Sequence, residues 1–115
     1  MNEQKISDKQ NIIKKNTRLV ALEIWILVYY KNQNFDVIIR NSFDFNKLDK
    51  RDKSFLFLLL NTCMRRHKQA QKIYCKYAKF GIDKKNRYLN SILVIATIQL
   101  IWLGIAPHAV LNEAV

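Results

Sequence analysis

Five cations recur along one stretch of this 115-residue chain at helical spacing: Arg65, Lys68, Lys72, Lys76 and Lys79. Steps of 3, 4, 4 and 3 residues place them within an arc of about 80° on a helix of 100° per residue. Like charges four apart repel, so a purely structural surface would intersperse acids among them. The chemistry this spacing suits is contact with phosphates, which gives affinity and position but no sequence choice. Arg66 extends the strip at its start, and Lys84, Lys85 and Arg87 add to its end. The alternative is a solvated face that binds nothing.

The other side chains capable of chemistry are few. Cys63 and His67 lie four apart and would share a helix face. Zinc takes four ligands in a structural site, or three and a water in a catalytic one, and His108 is far away in sequence. Cys63 and Cys75 lack the spacing of a CxxC pair, so two buried thiols are expected. No metal ligands and no catalytic residues are assigned. With no recognisable signal peptide, a reducing cytoplasm is the expected location.

Composition sets the frame for the strip. The net charge is +11, which implies a polyanionic partner or a surface tolerant of one. Residues 65–87 hold nine of the basic residues and one acidic residue, so the charge is a patch. Half of the residues are apolar, with two glycines and one proline. An all-β fold needs more turn residues than that. The expectation is one all-α domain with short connections, in which Tyr74 and Tyr77 pack inward with Cys63 and Ala70. If the tyrosines faced outward they could stack on bases.

The elements that must position the strip can be read in order. Residues 1–15 form a basic N-terminal arm, disordered at its start, with "SDKQ" at 7–10 as a capping box. A helix follows to about Lys31, with a break at Asn16-Thr17. Its segment "LVALEIWILVYY" is apolar almost all round and reads as buried. "FDVIIRNSFDF" at 35–45 reads as one short amphipathic helix with Phe35, Ile38, Ile39 and Phe43 inward. Asp49 or Asp52 caps the next helix, with Phe55, Leu58, Leu59 and Cys63 as core positions. This helix either continues through the strip or turns near His67; a turn would detach Arg65 and Arg66. Gly81 suits a C-cap, Asp83 an N-cap, Gly104 a second C-cap, and Pro107 the first position of a last helix.

Tyr88–Ala106 holds 19 residues without a charge, close to the roughly 20 of a membrane span. Asn90, Ser91, Thr97 and Gln99 interrupt it, and the other apolar segments need a partner. A buried central helix is therefore favoured, and no membrane association is expected.

These segments resemble a known family. "TRLVALEIWILV" is similar to the arginine–x–x–alanine opening of the NusB-type fold. "LDKRDKSFLFLLLNTCMRR" resembles a helix of RsmB-type proteins that ends in arginines. "ILVIATIQLIWLGIAPHAVLNEAV" resembles the family's glutamine–leucine helix and the proline motif after it. The resemblance implies an all-α, NusB-like bundle of about five to six helices, incomplete at its C-terminus, over residues 16–115. It also implies an RNA-binding role, with Lys14, Lys15 and Arg18 as a basic arm. Gln99-Leu100, Arg65-Arg66 and "PHAVLNEAV" look like the N-terminal domain of an RsmB-like rRNA cytosine-5 methyltransferase. S-adenosylmethionine would then belong to a parent protein, because neither cysteine follows a proline and no glycine-rich cofactor loop is seen. The alternative is a free-standing NusB-like antitermination factor that works through a protein partner. On either branch rRNA or related RNA is the expected ligand. Apolar surface left by an incomplete C-terminus would invite a protein partner or association.

Overall fold

The computed structural model of the chain describes residues 16–78 and 81–114, with side-chain surroundings up to residue 110. Six helices occur among the described residues, and no strand. They are α1 (Thr17–Tyr29), α2 (Phe35–Asn41), α3 (Phe43–Asn46), α4 (Lys50–Tyr77), α5 (Arg87–Ile101) and α6 (Pro107–Ala114). The all-α bundle expected from composition is observed. The N-terminal arm and its capping box lie outside the described residues.

Local chemistry explains most boundaries. Short polar side chains accept orphan backbone N–H groups at five helix starts. Asn16 accepts from Arg18, Asn34 from Val37, Ser42 from Phe45, Asp49 from Asp52 and Asn86 from Leu89, over 2.7–3.1 Å. The break expected at Asn16-Thr17 is thus a cap. Asp83 does not cap α5: its carboxylate turns to the Lys85 N–H, and Asn86 takes the capping position. Pro107 opens α6 as expected, where its missing N–H costs nothing. After α5 the chain reverses through Gly104 at φ +63, a conformation that favours glycine.

The single helix expected at 35–45 is two. Ser42 is extended, ends α2 and caps α3. Its hydroxyl competes with the helical ladder for the backbone. Asn46 Nδ2 then donates to the carbonyls of Ile39, Arg40 and Ser42. The kink turns Phe43 outward, 66% exposed, and buries Phe45 instead.

Helix α4 runs unbroken through His67 for 28 residues, about 42 Å at 1.5 Å per residue. No glycine or proline interrupts it. Its long side lies along α5, α1 packs against both, α2 sits on α1, and α6 follows α5. Leu56, Leu59, Leu60 and Cys63 are fully buried on the inner face, and each leucine is worth about 1.5–3 kcal/mol of transfer free energy. Leu58, expected inside, is half exposed, and Phe55 is only partly buried. Leu59 and Cys63 are inside as expected, and Leu56 and Leu60 take the places expected of Phe55 and Leu58.

Helix α5 is largely buried, as expected, but its buried side includes the polar residues. Its polar residues Asn90, Ser91, Thr97 and Gln99 are buried, while Leu89, Leu100 and Ile101 reach solvent. Asn90 and Gln99 are tolerated because they are hydrogen-bonded. Among the described residues no helix is long and apolar enough to cross a membrane.

Candidate nucleic-acid interface

The unbroken α4 keeps Arg65, Lys68, Lys72 and Lys76 on one continuous exposed face. Arg66 is exposed beside them, with its guanidinium on the Gln69 amide oxygen at 3.1 Å. Lys14, Lys15 and Lys79, also expected to contact RNA, lie outside the described residues.

Helix α1 fixes the roll of α4. The rings of Trp25 and Tyr29 stack at 5.3 Å, and the His67 ring packs against both, at 5.6 and 4.9 Å. Gln71 donates to the Tyr29 hydroxyl. These contacts hold the His67–Gln71 side of α4 against the body, so the cations cannot rotate inward.

A second set of bonds gathers the remaining cations. The Tyr74 hydroxyl donates to Asn90 Oδ1 at 2.9 Å, tying the end of α4 to the first turn of α5. Asn90 Nδ2 donates to the carbonyls of Asp83 and Asn86, both at 2.8 Å. The connection carrying Lys84 and Lys85, both exposed, is thereby pinned beside the C-terminal end of α4. Arg87 is also exposed, with its guanidinium 5.3 Å from the Tyr30 ring centroid. Burial pushes the Tyr74 hydroxyl up to about 12, so it remains a proton donor to Asn90 well into the alkaline range. Burial, then neighbouring Tyr29, raises the Tyr30 hydroxyl in the same direction. In the sequence Asn90 marks only a polar interruption of an apolar segment; its role as the joint depends on where α4 meets α5.

Two sequence expectations change here. Tyr77 does not pack inward; it is 76% exposed, because α4 ends there and no element among the described residues covers that flank. Tyr74 does pack, as expected. Cys75 is exposed rather than buried, while Cys63 is buried and its thiol is pushed up to about 12. The twelve-residue spacing between positions 63 and 75 leaves them about 120° apart around the helix, on different sides of α4. No group of three metal-ligating side chains occurs among the described residues.

Arg18 is placed differently from the other cations. It is partly buried, its Nε donates to Gln99 Oε1 at 2.7 Å, and its guanidinium lies 5.1 Å from the Phe55 ring centroid. Gln99, 2% exposed, also donates to the Ile95 carbonyl. Arg18 therefore joins α1, α4 and α5. The arginine of the opening motif and the glutamine of the later one are two halves of a single contact.

Neither the curated proteins nor the solved structures contain a match to this chain. A family profile described as the NusB family matches residues 15–115. That span is most of the chain and includes both halves of the Arg18–Gln99 contact and the whole cationic face, and the chain belongs to the NusB family.

Proposed function

We propose that this chain is an RNA-binding module whose contact surface is the outer face of α4 with the Lys84–Arg87 connection. The carrying observation is the unbroken α4, which aligns Arg65, Lys68, Lys72 and Lys76 with no acid between them. Membership of the NusB family supports the same reading. Tyr77, exposed on the flank beside Lys76, adds a ring on which an unpaired base can stack. Lys14 and Lys15 would extend the surface from the N-terminal arm. The site recognises charge and backbone, so affinity for different sequences is similar.

Within the family, the finer reading is the RNA-binding part of an RsmB-like rRNA cytosine-5 methyltransferase. The Gln99 side chain built onto Arg18 supports it, together with Arg65-Arg66 and the "PHAVLNEAV" motif. On that reading S-adenosylmethionine is held by another part of the parent protein. The competing reading is an antitermination factor.

Fluorescence anisotropy with a labelled rRNA fragment, a nascent-transcript leader RNA and a scrambled RNA tests both levels. Binding of all three, lost on charge reversal at Lys72 and Lys76, supports the basic reading. Unchanged affinity after reversal refutes this face. A marked preference for the leader RNA favours the antitermination factor.

A further inference from the structure

A groove of about 370 Å³ opens where α1, α2 and the start of α3 meet. Buried Val20, Ile24 and Ile38 form its floor. Val37 and Phe43, 47% and 66% exposed, stand at its mouth. Glu23 and Asp44 are its charged lining, and none of the described lining residues is a lysine or arginine. In a chain of net charge +11 the lining residues are net acidic, with the Lys47 ammonium beside them at the Phe43 ring. None of the cations of the α4 face lines it.

We propose that this groove docks a short basic, amphipathic segment of a protein partner. Its apolar side chains would lie on the Val20–Ile24–Ile38 floor, with a lysine or arginine between Glu23 and Asp44. Three observations lead there. The volume is at the lower end of the roughly 300–1,000 Å³ of ligand sites, so it admits a few side chains and not a folded surface. The carboxylates select the sign of the ligand: an acidic segment would meet like charge, and a basic one is repelled by the rest of the molecule but not here. Phe43 already accepts an ammonium, since Lys47 Nζ lies 4.4 Å from its ring centroid. Both carboxylates have neighbours of their own, so an incoming cation exchanges with existing contacts, and Lys47 competes with it for the ring. The site does not depend on the RNA reading and stands if that reading falls.

The test uses the whole chain and two short fluorescein-labelled peptides. One has leucines at i, i+3, i+4 and i+7 with lysines elsewhere; the other replaces each lysine by glutamate. Anisotropy should show binding of the lysine peptide alone. Asp44→Lys should weaken it about tenfold or more, and Phe43→Ala about fivefold or more. Lys47→Ala should tighten it. Phe43 and Asp44 are not buried, and an unchanged thermal melt verifies each fold. Equal binding of the glutamate peptide, or indifference to both Asp44→Lys and Phe43→Ala, overturns the proposal. A gain in peptide affinity on Ile12→Ser with Ile13→Ser also overturns it, by assigning the groove to the chain's own N-terminal segment. Self-association in sedimentation that Phe43→Ala abolishes overturns it in favour of a second copy.

Discussion

Neutralising Lys72 and Lys76 should move RNA affinity and protein stability in opposite directions. Both side chains are exposed on the outer face of α4, so Lys72→Gln with Lys76→Gln removes no core contact. Each phosphate neutralised on a single strand contributes about 0.7 to the slope of log affinity against log salt. Losing two contacts should lower that slope by about 1.4. Extrapolated from 1 M salt, where the counterion contribution vanishes, this is about 25-fold in affinity at 0.1 M, or ~1.9 kcal/mol. The same substitutions remove two like-charge i,i+4 pairs, Lys68–Lys72 and Lys72–Lys76, each worth about 0.2–0.5 kcal/mol of repulsion. The free protein should therefore melt a few degrees higher. Anisotropy titrations from 0.05 to 0.3 M salt, roughly spanning the screened range, read the first effect, and circular dichroism melts read the second. An unchanged salt slope would refute phosphate contact by this face. A lower melting temperature would refute the description of the two lysines as mutually repelling and uncovered.

Four further outcomes follow from other parts of the fold. Gln99→Leu strips Arg18 of its acceptor and should cost about 1.5–3 kcal/mol in denaturant unfolding; Arg18→Ala on top of it should add less than it does alone, because the two share one contact. Gly104→Ala meets no atom within 4 Å, so its cost, about 1 kcal/mol, should come from the φ of +63 alone and be visible in the melting temperature. Alkaline titration should unfold the protein, with the sign set by the raised acids. Cys63 stays protonated in the fold up to about 12, against 9.0 when unfolded, so the unfolded chain binds fewer protons in that window. Stability should fall as pH rises above 9, by about 1.4 kcal/mol per unit from this thiol, and Tyr74 adds to the fall above 10.0. At pH 8, alkylation should label Cys75 in the folded protein and reach Cys63 only on unfolding.

Much of the scaffold was legible because it rests on local chemistry. The scarcity of glycine and proline, the cap at Asp49, the turn at Gly104 and Pro107 at the start of α6 depend on a few neighbouring residues. The spacing of Arg65, Lys68, Lys72 and Lys76 is a property of any helix that carries them. Less legible was what depends on a choice between two local optima. Ser42 could sit inside one helix or cap another, and its hydroxyl decided for the cap, which sent Phe43 outward. Helix α4 could bend at His67 or continue, and the ring contacts with Trp25 and Tyr29 favour the continuous form.

The chain by itself therefore determined an all-α bundle and a cationic strip at helical spacing, since both follow from periodicity and composition. The tertiary structure decided which sides of the helices are covered. That placed Asn90 and Gln99 inside, where Tyr74 and Arg18 satisfy them, and left Tyr77, Cys75 and Leu100 outside. It also converted Arg18 from a member of a basic arm into a tie between three helices. The physical reason is that burial of a helix face belongs to the neighbours that approach it. A buried amide or guanidinium is stable only where a specific partner from another element arrives.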